Sequence, residues 1–288
     1  MKIFKHITWM ILLVLSLGGI GIASAQTDSW TILHYSNMDN DLEPFIFGDM
    51  MEIRTAGSSD RVNLVAQIDR IGGYENRFGD WTDTRRFYLT QQPTPTFTFE
   101  QQVELLARWF EENGIDTYQN AYQGLFADDP QAVTDLFFRL SLNVVFDQEP
   151  IEKLGEQDMG NAQTLADFIA WGISTYPADH YMLIISSHGN GWAGIGPDET
   201  DGTILNLQAM QAGIRAGLDA VGVDKFDIIG FDACLMAQYE VAVALAPVAD
   251  YLLAAEEVIP GRGWEYSKPY QALNANPNID PLSLGKSI

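Results

Sequence analysis

Two runs in the second half of the chain, LIIS at 183–186 and DIIGF at 227–231, are apolar almost without interruption. A strand with one wet face alternates apolar and polar residues. An unbroken apolar strand is covered on both faces, which is the mark of a central strand in a parallel sheet. The two predicted strands extend over 181–186 and 226–231, and shorter β-type runs lie at 30–36, 62–68, 86–89 and 251–255. Helical spacing fills the intervals. Residues 42–53 follow Asp39, Asn40 and Asp41 as candidate caps, and Leu165, Phe168, Ile169 and Trp171 share one side of 164–173. Leu207, Met210, Ile214 and Leu218 repeat before the second apolar strand, and a helix over 236–245 directly follows it. Strand–helix alternation of this kind predicts an α/β fold, an α/β/α sandwich around a mostly parallel sheet.

Three segments stand outside that pattern. Residues 1–25 read as a signal peptide, with Lys2 and Lys5, an apolar stretch at 9–17 and Ala23-Ser24-Ala25 as a cleavage site. The apolar stretch is short for a membrane span. The expectation is therefore export to the periplasm, cell surface or medium, with no stable span after the leader is removed. Residues 91–150 are Pro- and Thr-rich, then aromatic and acidic, with helix-like pieces at 104–111 and 133–140. They read as an atypical helical insertion in a single domain over 26–288. The chain stops in polar, Pro-bearing sequence with no obvious final element, which leaves truncation open.

The formal charge is −23, and loss of Lys2 and Lys5 makes the remainder more acidic still. Such a surface repels phosphate backbones, so nucleic acid is excluded as a partner. A single cysteine, Cys234, rules out disulfide scaffolding within the chain. In an exported protein an odd thiol is buried and inert, paired with another chain, or reactive.

Two loops carry the chemistry. Ser186-Ser187-His188-Gly189-Asn190-Gly191-Trp192 leaves one apolar strand, and Asp232-Ala233-Cys234-Leu235-Met236 leaves the other. In an open parallel sheet, strand carboxyl ends converge on one edge, where ligands bind. The interval between the loops has room for one helical crossover, so His188 and Cys234 can share a cleft. A thiolate is the attacking species, and a nearby imidazole favours it and later protonates a leaving amine. A helix starting after Cys234 lowers the thiol pKa further. Gly189 lets backbone N–H groups approach an oxyanion, together with the N–H of Cys234. Taken singly, each residue has a structural reading: His188 as a loop histidine, Cys234 as a small buried hydrophobe, Asp232 as a helix cap. His34 and His180, within or before a strand, are read as structural. The match of Gly189, Gly191 and Gly194 to a dinucleotide fingerprint is rejected, because Ile195-Gly196-Pro197-Asp198 opens no helix.

A strand ending in His-Gly, then one ending in Asp-Ala-Cys, resembles the caspase, legumain, gingipain and clostripain group of peptidases. Within it, residues 188–192 (HGNGW) and 231–236 (FDACLM) are similar to the clostripain family pattern. Segments 30–43, 57–69, 176–181 and 255–264 agree, and the likeness covers about 30–90 and 151–266. The resemblance implies a caspase-like fold and a cysteine endopeptidase acting on peptides or proteins. Cys234 corresponds to the nucleophile, His188 to the general acid/base, and Gly189 and Cys234 to the oxyanion donors. Asp232, two residues before the cysteine, corresponds to an acid lining a pocket for Arg or Lys, with Glu256 and Glu257 as second candidates for that wall. Self-processing between histidine and cysteine has only Arg215 and Lys225 to act on. No cofactor is required. Calcium stays open through the acidic loop Asp198, Glu199 and Asp201, for which a solvated loop is the simpler reading. Two other uses of the same features stay open, an inactive homologue serving as a cell-surface binding module and acyl transfer to an amine. Oligomeric state is not legible.

Overall fold

The computed structural model describes residues 28–75, 81–92 and 148–288. The expected leader, most of the 91–150 segment and both helix-like pieces expected within it lie outside these residues. Among the described residues, no helix is long and apolar enough to cross a membrane.

A seven-stranded sheet forms the centre. Its members in chain order are β1 (Trp30–Met38), β2 (Val62–Arg70), β3 (Thr84–Tyr88), β4 (Glu152–Gly155), β5 (His180–Ser186), β8 (Phe226–Asp232) and β9 (Ala249–Leu253). Between β5 and β8, β6 (Ile195–Asp198) and β7 (Thr203–Leu205) form a separate antiparallel pair. The order across the main sheet is β4-β3-β2-β1-β5-β8-β9. From β2 to β9 all neighbours are parallel, and β3 alone runs antiparallel to both of its neighbours.

Among the described residues the α-helices are α1 (Glu43–Ala56), α2 (Ala162–Thr175), α3 (Leu207–Val221), α4 (Tyr239–Leu245), α5 (Ser267–Ala275) and α6 (Pro281–Ser287). Side chains along a strand point alternately to the two faces, and the two cores divide on that alternation. Ile32, Ala66, Ile184 and Ile228 pack with Phe47 and Met50 of α1, Tyr270 and Leu273 of α5, and Leu284 of α6. Leu33, Tyr35, Leu183, Ile185 and Ile229 pack on the other face with Phe168 of α2, Ile214 of α3 and Val241 of α4. This is the expected α/β/α sandwich. Asn161 caps α2 through its side chain, Asn206 caps α3, and Gly222 closes α3 in the left-handed conformation.

Three expectations need correction. Asp39, Asn40 and Asp41 do not cap α1, whose cap residue is Leu42, with Pro44 in the first turn. The helix expected over 236–245 starts only at Tyr239. Its first residues are held extended, because the N–H groups of Leu235 and Ala237 donate to the carbonyls of Glu257 and Ala255. Finally, α5 and α6 occupy the polar end of the chain, anchored by buried Tyr270 and Leu284 rather than by a full apolar stripe.

Candidate active site

The central pairing of β5 with β8 builds the site. Ser186 lies opposite Asp232 in register at the carboxyl ends of the two strands. His188 and Cys234 each follow by two residues, and both line one cleft with Ser187, Asp232, Ile259 and Gly263. The two loops pack backbone to backbone. A Cβ placed on Gly189 would stand 2.0 Å from the carbonyl oxygen of Cys234 and 2.8 Å from its nitrogen. Any other residue there would force the loops apart.

Cys234 is half-buried and sits in a turn, well before α4. The helix-dipole argument for its thiol therefore falls away. The backbone N–H of Ile259 donates to Sγ from 3.4 Å and holds the side chain in the cleft. Leu235, directly after the cysteine, has φ of 64°, the one positive value among the described non-glycine residues. Strain of this kind costs roughly 1–2 kcal/mol. The strand-like bond from Leu235 N–H to Glu257 holds it in place.

His188 presents Nε2 to a carboxylate oxygen of Asp41 at 2.6 Å. Asp41 was read only as a capping candidate. Asn40, beside it, donates to the hydroxyl of Ser187 and to the carbonyl of Pro197. The segment leaving β1 thus touches both the histidine loop and the β6–β7 hairpin. The hairpin is tied back in turn, since Gly196 N–H donates to the His188 carbonyl.

Asp232 is buried, so it does not cap a helix; its Oδ2 accepts from Trp264 N–H at 3.1 Å and from the Tyr266 hydroxyl at 2.8 Å. Its Oδ1 is buried with no partner among the described residues. Burial pushes the carboxyl up from its ordinary pKa, against the lowering effect of those two donors. Asp49 of α1 reaches the same floor. A Cβ on Gly263 would meet Asp232 Oδ2 at 2.6 Å and Asp49 Oδ2 at 3.0 Å. Sequence reading missed Asp49, although an acid on the same helix stripe as Ile46 and Met50 is a signal that could have found it. Glu256 and Glu257 are exposed and do not line the cleft; Glu257 contributes only its carbonyl.

The remaining titratable groups separate cleanly. His34 is fully buried, bonded through Nε2 to the Tyr270 hydroxyl, and burial lowers its pKa to about 3. His180 pairs with Asp227 and stacks on Trp30. Asp198, Glu199 and Asp201 do not act as one loop. Asp198 is buried and turned inward, whereas Glu199 accepts from the Tyr74 hydroxyl at the surface. Arg215 is bound within α3 to Asp219, and Lys225 pairs with Asp250.

Comparison with known proteins agrees with this layout. Clostripain from Hathewaya histolytica is 27% identical over 284 residues, an alignment spanning 88% of this chain and 44% of that protein. The chain thus spans less than half the length of this relative. A secreted C11 cysteine protease from Bacteroides thetaiotaomicron, solved with an irreversible peptide inhibitor, superposes with a TM-score of 0.58 at 20% identity, over 90% of this chain and 57% of that one. An inactive zymogen C11 protease from Parabacteroides distasonis gives 0.51 at 22% identity, over 86% and 54%. These likenesses show the caspase-like α/β fold. The sequence model of the clostripain family matches residues 34–288, and the chain belongs to that family.

Proposed function

We propose that this chain is an exported cysteine endopeptidase that cleaves after Arg or Lys. The observation that carries the reading is the cleft itself: one thiol and one imidazole on facing loops, above a floor holding two buried carboxylates. In the proposed reaction the Cys234 thiolate attacks the scissile carbonyl carbon, and the N–H groups of Gly189 and Cys234 hold the oxyanion. His188 protonates the departing amine, leaving an acyl-enzyme. Water, deprotonated by the same imidazole, then releases the acid and frees the thiol. Asp41 orients the imidazole without touching substrate.

Asp232 supplies the preference for a cationic side chain. Its unpartnered oxygen is the natural acceptor for a guanidinium or ammonium, which would also keep the carboxyl ionised. Export is supported by the basic, apolar and small-residue pattern of the leader, and by the Bacteroides neighbour being described as secreted.

The test is a fluorogenic peptide panel that varies the residue before the scissile bond. Turnover confined to Arg and Lys is expected, and it should vanish in Cys234→Ala and in His188→Ala. Asp232→Asn should lower kcat/KM for Arg peptides by about 10–100-fold, the worth of a charge-assisted hydrogen bond. Alkylation of Cys234 by an uncharged thiol reagent should remain. A wild-type chain that turns over no peptide and reacts with no acyloxymethyl ketone would leave a binding module instead.

A further inference from the structure

The floor that holds Asp232 and Asp49 takes up only one side of the sheet edge. Leu42, Ile46 and Asp49 line it, so it opens on the face covered by α1. On the opposite face, covered by α3 and α4, lies a shallow groove of about 490 Å³. Trp192, Asn206, Leu207, Gln208, Gln211 and Ala244 line it.

Two features of this groove need a cause. Trp192 is 66% exposed, although an indole left in water forgoes one of the largest apolar burials a side chain offers. Its backbone is nonetheless held. Trp192 N–H donates to Gln238 Oε1 at 3.2 Å, and a Cβ on Gly191 would stand 2.3 Å from the same amide. Gln238 thereby joins the histidine loop to the segment after Cys234, so the groove begins where the two loops of the cleft meet. The second feature is charge. No lining residue carries any, in a chain whose formal charge is −23. Gln211 Nε2 donates to the Ala244 carbonyl at 2.7 Å, which ties α3 to α4 and leaves Leu207 and Ala244 as the apolar part of the lining. An exposed aromatic beside an uncharged groove marks a place where something binds.

We infer that this groove binds the part of the substrate that follows the scissile bond, and selects a large uncharged side chain there, packed on Trp192. The inference rests on the peptidase reading. The two faces set the direction. A side chain in the carboxylate floor lies on the α1 face, with its carbonyl carbon at Cys234. The segment that departs with the amine then continues past His188 and over the sheet edge, toward Trp192, four residues after the imidazole. An extended chain advances about 3.3 Å per residue, so three residues after the bond cover about 10 Å of that surface. The preference is assigned to those three positions. Carboxylates favour a cation before the bond, whereas after it an indole, a leucine and an alanine favour an apolar side chain.

The test uses internally quenched peptides that share one Arg-containing acyl part and vary the three residues after the bond. An Arg aminocoumarin amide, whose leaving group lacks those residues, is the reference. In the wild type, Leu or Phe at one of the three positions should raise kcat/KM about tenfold over Ala, and Lys should give no such gain. Trp192→Ser should bring the peptides within about twofold of one another and leave turnover of the amide unchanged. Gln208→Glu puts an acid in the first turn of α3, where the helix dipole favours it, so this variant folds. It should shrink the Leu advantage and raise Lys above Ala. Leu282→Ser, at an exposed residue of α6 on the other face, should change neither.

A wild type that cleaves the amide but treats all the peptides alike overturns the inference and spares the peptidase reading. So does a Leu advantage that survives Trp192→Ser, or equal losses for peptides and amide in that variant together with an unaltered preference in Gln208→Glu. A wild-type dimer that Trp192→Ser makes monomeric, with no preference among peptides, gives the groove to a second copy of the chain and overturns the inference as well. Turnover of neither substrate removes the peptidase reading, and this inference with it.

Discussion

At the residue scale, Gly189 is the most exacting position in the cleft. Its missing Cβ is what lets the histidine loop lie against the backbone of Cys234. Gly189→Ala must separate the two by more than an ångström, since real Cβ contacts with backbone oxygen do not fall near 2.0 Å. Misplacement on that scale costs about 100-fold in rate. We therefore expect at least that loss in kcat with Tm lowered only modestly, because the loop is peripheral to both cores. Peptidase assay and calorimetry on one preparation check it; unchanged kcat would remove Gly189 from the argument. His188, Gly189 and Cys234 were legible because they are contiguous with apolar strands that announce themselves. Asp41 and Asp49 were not, because their relevance depends on which strand neighbours β5. That order, with β1 inserted between β2 and β5, is a tertiary fact.

At the scale of elements, β1, β2, β3, β5, β8 and β9 were legible, whereas the short strands β4, β6 and β7 and the late start of the helix after Cys234 were not. Continuous apolar runs predict burial on both faces, and β5 and β8 have it. The residues 236–238 carry helix-compatible side chains, yet the N–H of Ala237 is committed to the carbonyl of Ala255, as that of Leu235 is to the carbonyl of Glu257. Long-range pairing overrides local propensity here. The packing of α5 against β1 yields a pH-dependent term of its own. His34 on β1 bonds Tyr270 on α5 and is buried neutral, with its pKa lowered to about 3 from 6.5. An imidazole whose folded pKa is depressed contributes stability that is complete above pH 6.5 and drains away as pH falls toward 3. The slope is about 1.4 kcal/mol per pH unit for one proton. His34→Gln keeps a polar partner for Tyr270 but cannot titrate. It should be the less stable protein at pH 8 and should close that gap by pH 4.5. Urea unfolding at the two pH values measures this; a constant gap would mean that His34 does not take up the proton.

At the scale of the whole molecule, a formal charge of −23 acts over distances that no single contact reaches. Composition alone revealed this field, but it could not say where the charge is concentrated. Part of it surrounds the cleft: Asp41, Glu256 and Glu257 are exposed near a floor that holds Asp49 and Asp232. A field of that sign draws in cationic chains and speeds encounter without altering the chemical step. Screening separates the two effects, since the Debye length shrinks from about 30 Å at 0.01 M salt to about 10 Å at 0.1 M. Over that range, kcat/KM for an Arg peptide flanked by lysines should fall several-fold more than for one flanked by neutral residues, with kcat unchanged in both. Equal falls for the two peptides would confine the electrostatics to the pocket floor, and the surface charge would then serve solubility alone.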